Sequence, residues 1–361
     1  MPANPPRLPL VDAVKALASQ FIVLHHLAFY GPMSDVAAQL LRAPIEWFSR
    51  DARIAVQAFL VTGGFLAAQR LAPQGVLLAA RPLALAWNRY LNLVAPYLAA
   101  LALAIVAAAL ARQVMANPSV PAAPTLTQIL AHALLAQDIL GMDALSAGIW
   151  YIAIDFQLFA LLLAILWGAR RLGPGVRLGP VLVAGCGAAS LFYFNRDTAW
   201  DVWAPYFFAA YGLGALSFWA SAPGGARRWL GAIAAIAVAA LLLDFRGRIA
   251  VALCIALALG AARRGGVMET WPRSALLAFL ARISYSVFLI HYPVCLVANA
   301  LLFRLAPDSP AANLLGMVLA WAASIAAGTL FHHRVEKPAR ALVRRTTPSA
   351  IAPHPAQSTS R

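Results

Sequence analysis

Long apolar runs recur along this chain of 361 residues, and they constrain its fold more than any other feature. Several reach the roughly 17–25 residues that cross a hydrocarbon core. A backbone in lipid finds no water to bond, so each such run must satisfy its own N–H and C=O groups, which a helix does. Ten spans are expected, near residues 12–30, 53–69, 92–111, 148–168, 179–194, 202–220, 229–243, 249–262, 283–303 and 312–331. The fold class this implies is all-α, a polytopic membrane helical bundle of about ten transmembrane helices. Composition agrees: 62% of residues are hydrophobic and 11% charged, against about 45–50% and about 25% in soluble domains.

A formal charge of +15 raises the question of a nucleic-acid partner. In a membrane protein, basic loops beside anionic headgroups account for it, and no nucleic acid is expected. With the N-terminus placed inside, 20 of the 28 Lys and Arg residues fall in the inside segments, and nine of the 13 acidic residues fall outside. This asymmetry supports ten spans with both termini cytoplasmic. The first run is read as a retained helix, because no small-x-small site closely follows it and Asp12 and Lys15 stand at its start. The segment 112–147 is the longest outside loop, Pro-rich early and helix-periodic late. Residues 1–345 form the transmembrane domain, and the polar, Pro-rich 346–361 is expected to be a disordered cytoplasmic tail. Cys186, Cys254 and Cys295 sit in apolar runs with no paired spacing, as small buried side chains do.

Polar groups inside apolar runs are costly and carry information. IVLHHLAFYG (22–31) places His25 and His26 within the first span. Residues 11 apart share a helix face, so Lys15 and His26 align, about 16 Å apart along the axis. Asp12, Lys15, Ser19, Ile22 and His26 form that face, and His25 points about 100° away. With the N-terminus inside, Lys15 lies near the cytoplasmic surface and His26 deep, towards the outer half. Gly63-Gly64 in the second span reads as close helix packing or as backbone room for a ligand. Asp155 and Gln157 fall in the fourth span, and His291 and Pro293 in the ninth. HHRVEKPAR (332–340) ends the last span, as a solvated helix end or as part of a site. No metal, nucleotide or serine-nucleophile motif is present, and no metal is expected. These groups suit either acid/base catalysis or proton-coupled transport, and the residues alone leave both open.

Set in order, the motifs resemble the acyltransferase-3 family of integral-membrane O-acyltransferases over most of 7–345. Asp12, Lys15 and His26 fit the first-span pattern, with lysine where arginine is usual. Gly63-Gly64 fits the second-span turn without its serine. Arg89 in WNRYLNLVAPY fits the basic segment before the third span, with Asn92 where a second arginine is common. Trp150, Asp155 and Gln157 fit the fourth-span motif. Ser284, Tyr285, Ser286, Leu289, His291 and Pro293 fit the late signature, and Glu336 with Pro338 the terminal one.

The resemblance implies transfer of an acyl group, often acetyl, from cytoplasmic acyl-CoA to a hydroxyl. The acceptor is commonly a glycan or lipid-linked saccharide, and the setting a bacterial inner membrane. On this reading His26 is the general base, Asp155 orients it as a triad carboxylate would, and Lys15 and Arg89 hold the CoA phosphates. Asp12, Trp150, Gln157, Tyr285, His291 and Glu336 support the site. The rival is a proton-coupled transporter or flippase built on the same intramembrane residues.

Overall fold

A computed structural model describes residues 7–79, 81–173, 177–222 and 228–347. Most of the expected tail, with Arg227 and Arg361 of the charge count, lies outside the described residues. Among the described residues there are thirteen α-helices: α1 (Pro9–Phe29), α2 (Met33–Arg50), α3 (Val56–Leu71), α4 (Pro82–Val114), α5 (Leu126–Ala133), α6 (Trp150–Leu172), α7 (Leu178–Phe192), α8 (Ala204–Ala220), α9 (Arg228–Leu243), α10 (Gly247–Arg264), α11 (Ala275–Leu305), α12 (Pro310–Phe331) and α13 (Lys337–Thr346).

Local chemistry sets several of the starts. Pro9, Pro82 and Pro310 open α1, α4 and α12, where a missing N–H costs nothing. Ser274 and Ser309 accept from the backbone N–H groups of Leu277 and Ala312 and cap α11 and α12. Thr125 and Gln128 form a reciprocal capping box on α5.

Among the described residues seven segments are long and apolar enough to cross a bilayer: Pro9–Phe29, Met33–Leu71, Pro82–Val114, Trp150–Leu172, Leu178–Arg196, Ala275–Leu305 and Pro310–Thr346. The sequence leads one to expect ten, and a helix does cover each of those ten runs. The three that fall outside the seven have physical reasons. α8 has 17 residues and α9 has 16. α10 carries Arg248, Arg263 and Arg264 within its 18. The region 33–50, expected as loop, is the amphipathic helix α2, kinked at Leu41 and packed on α1 and α12.

α8 is the centre of one half, packed against α3, α7 and α10. It meets α3 backbone to backbone. A Cβ on Gly64 would lie 1.9 Å from the Tyr211 carbonyl oxygen, and one on Gly214 1.9 Å from that of Val61. The Gly63-Gly64 pair is therefore close packing through small residues. α11 organises the other half against α1, α4 and α12. The large apolar side chains left exposed, such as Leu83, Leu242 and Leu319, suit contact with lipid.

The hydrogen bonds define two ends. His26 lies at the C-terminal end of α1, beside Gly148 at the start of α6. Gln157 of α6 bonds Val202 and Ala204, and Arg246 and Arg248 bond Asn195. The loops 193–203 and 244–248 thus share the His26 end. At the opposite end Trp219 donates to the Ala72 carbonyl and Arg170 to those of Leu77 and Ala79.

Candidate active site

α1, α11 and the turn into α6 build the deeper part of the site. His26 is buried, and its Nδ1 lies 2.7 Å from Nε2 of His291 on α11. The two rings stack nearly parallel, with centroids 4.8 Å apart. His291 Nδ1 faces the carbonyl oxygens of Phe288 at 2.7 Å and Val287 at 3.3 Å. Gly148 takes φ +71°, a left-handed conformation that glycine adopts without strain. A Cβ there would lie 3.1 Å from His26 Cε1, so the turn seats the ring edge. Tyr30 packs on His26 at 5.6 Å and on Tyr292 at 5.1 Å.

His25 turns the other way. Its Nδ1 donates to the Phe48 carbonyl of α2 at 3.0 Å, which makes it a tie between helices. The register that singles out His26 on the Lys15 face holds in three dimensions.

The shallower part gathers charge from α1, α3, α4 and the chain's last helices. Lys15 is half-buried and makes no hydrogen bond or ion pair among the described residues. The charges nearest it are Asp12, Arg340, Arg89 and Glu336. Asp12 itself pairs with Arg7 at 2.7 Å. Arg89 pairs with Asp155 and lies over the Phe159 ring at 5.5 Å, while its Nε is buried without a partner. Arg70 lies near Arg89. Glu336 is not at a solvated helix end. It sits on a π-turn, His332–Glu336, and is 1% exposed. Ser286 donates to it at 2.5 Å, His332 lies 3.0 Å away, and Arg340 pairs with its other oxygen at 2.8 Å. Arg340 also lies over the Tyr285 ring at 5.6 Å, and its Nε is buried and unpartnered. Tyr285 donates to the Leu93 carbonyl at 2.8 Å.

The structure therefore joins Arg89 with Asp155, and His26 with His291. Asp155 pairs with Arg89, and His26 has His291 as its partner, so no hydrogen bond joins Asp155 to the imidazole of His26 among the described residues. Gln157 holds the turn before α8, and Trp150 stacks on Phe207 at 5.5 Å. Both shape the walls. Arg340, Gly148 and Ser286 join the site only through the fold. Arg340 stands in the basic run 332–340 and Ser286 in the late signature, while Gly148 lies two residues before the Trp150 motif with nothing local to mark it. No group of three metal-ligating side chains occurs among the described residues.

A helical bundle with seven membrane-length apolar segments, a buried histidine pair and a cluster of half-buried cations is an integral membrane protein. The family model described as an acyltransferase domain matches residues 9–333 of the 361, and the chain belongs to that family, acyltransferase-3. It is thus a membrane acyltransferase. No curated protein and no solved structure matches the chain.

Proposed function

We propose that the chain is an O-acyltransferase that moves an acyl group, acetyl in the first instance, from cytoplasmic acyl-CoA to a hydroxyl. The acceptor is a cell-envelope or exported saccharide, and the membrane is the bacterial inner membrane. The observation that carries this reading is the buried His26. Among the described residues it has a histidine and no carboxylate as its partner, and it lies at the far end of the α1 face that holds Asp12 and Lys15.

Burying a net charge without a counter-ion is expensive, so this imidazole serves as a neutral base. In the reaction the acceptor oxygen attacks the thioester carbon while a ring nitrogen of His26 takes its proton. The C–O bond forms, the C–S bond breaks, and the proton passes to the departing thiolate to give free CoA. Lys15, with no ion pair among the described residues, and the Nε donors of Arg89 and Arg340, without a partner among them, suit the phosphates and amide carbonyls of CoA. Arg89 is oriented for this by Asp155.

A proton-coupled transporter would need Lys15, His26, Asp155 and His291 linked as a relay. Of these four, His26 and His291 hydrogen-bond each other among the described residues, and Asp155 is paired with Arg89 instead. The test is CoA release by membranes given acetyl-CoA and an envelope-saccharide extract. His26→Ala should abolish acceptor-dependent release at unchanged expression, and His25→Ala should keep substantial activity. Normal turnover by His26→Ala would overturn the assignment. Proton-gradient-dependent uptake without CoA release would turn the reading to transport.

A further inference from the structure

The hydrogen bonds around the two histidines leave a single arrangement of their protons. A carbonyl oxygen only accepts, so the Nδ1 that faces Phe288 and Val287 carries the hydrogen of His291. A neutral imidazole has one N–H, which leaves Nε2 of His291 as a lone pair. That lone pair lies 2.7 Å from Nδ1 of His26, so His26 Nδ1 must donate. His26 Nε2 is then the unprotonated nitrogen, and it has no hydrogen-bond partner among the described residues. The opposite assignment would set two lone pairs against each other or require an uncompensated buried cation. On the other side His25, held by the Phe48 carbonyl, packs 4.9 Å from the His26 ring, and no hydrogen bond joins the two rings among the described residues.

We propose that His291 is the positioning residue for the base, holding His26 as the Nδ1–H tautomer so that Nε2 meets the acceptor hydroxyl. This rests on His26 being the base. It gives a neutral imidazole the part that a carboxylate plays in a serine-hydrolase triad, which is to fix tautomer and ring orientation. When Nε2 takes the hydroxyl proton, the bond from Nδ1 to His291 becomes charge-assisted and strengthens. It is therefore stronger in the transition state than in the ground state, as catalysis requires. His291 exchanges no proton in this scheme. Its own N–H stays on the Phe288 carbonyl throughout.

Two variants of His291 and one spectrum test this. In lipid nanodiscs with 15N-labelled histidine, the His26 signals, assigned by their loss in His26→Gln, should be those of a neutral Nδ1–H tautomer. An Nε2–H signature in the wild-type protein overturns the proposal without any variant. With acetyl-CoA and envelope-saccharide extract, His291→Leu removes the acceptor and should lower kcat by about 10²–10⁴-fold, with the donor KM within about twofold. His291→Gln can accept through Oε1 and should restore kcat to within about tenfold of wild type. Full activity in His291→Leu, or a Gln variant as poor as Leu, overturns the proposal. An active His26→Ala enzyme would instead remove the base assignment itself, so the two failures are distinct.

Discussion

At the scale of single residues, register and partnership have different origins. That His26 rather than His25 shares a face with Lys15 follows from 3.6 residues per turn and is readable in the sequence. That His26 meets His291, 265 positions away, is not. Asp155 shows the difference well. A carboxylate in an apolar run must find a cation, and the chain offers many. Only packing selects Arg89, and it thereby removes Asp155 from the imidazole. Lys15 carries an argument of its own. Its ammonium lacks the planar fork of arginine but keeps the charge, and among the described residues it forms no ion pair, although Asp12 and Glu336 lie near. Lys15→Arg should therefore turn over acetyl-CoA near the wild-type rate. Lys15→Ala should raise the donor KM by roughly tenfold, the loss of one charge-assisted contact of about 1.5–3 kcal/mol after partial replacement by water. An unaltered donor KM in the alanine variant would take Lys15 out of the donor site.

At the scale of elements, the helices with strong apolar periods lie where the sequence puts them, and the surprises lie between them. α2 is amphipathic, and its polar face hides it from a search for apolar runs. Packing on α1 and α12 makes it part of the bundle. The loop before α6 is shaped by His132. Its Nδ1 donates to the Gln128 carbonyl at 2.7 Å, so its Nε2 can accept the Leu145 N–H at 3.2 Å. Burial pulls the His132 pKa below its ordinary value near 6.5, although the Gln128 carbonyl and Asp138 act the opposite way. The unfolded loop therefore takes up the proton first. The stability this contact contributes is complete above about pH 6.5 and is lost as pH falls through the lower, folded value. Amide exchange at Leu145, corrected for its intrinsic rate, should be faster at pH 5 than at pH 7.5. The difference should disappear in His132→Gln. Equal protection of Leu145 at both pH values in the wild-type protein would refute the linkage.

At the scale of the whole molecule, the question is how many helices cross. The charge asymmetry leads one to expect ten spans with both termini cytoplasmic, whereas length and hydropathy give seven among the described residues. The fold shows why the measures part. α8 is buried on nearly every side, so its length and hydropathy answer to protein neighbours rather than to lipid thickness. The arginines of α10 stand at its ends, where Arg248 bonds Asn195 and Arg263 the Phe218 carbonyl. The ten-span topology puts Ser119 and Asp244 on one side of the membrane and Arg344 on the other. Single cysteines at these positions, in a chain freed of Cys186, Cys254 and Cys295, should react with an impermeant maleimide from outside at 119 and 244. Position 344 should react only after lysis. Labelling of 119 and 244 from opposite sides would exclude the ten-span arrangement.

The sequence by itself determined the membrane-helix class, the positions of the strongly apolar helices, the Lys15–His26 face and, through ordered motifs, the family. These depend on local quantities: transfer free energy over about twenty residues and the period of one helix. The tertiary structure alone decided the pairs His26–His291 and Arg89–Asp155, the burial of Glu336 and the seat that Gly148 makes for the imidazole. These depend on which helix faces which, and that is set by the summed packing of groups far apart in the chain.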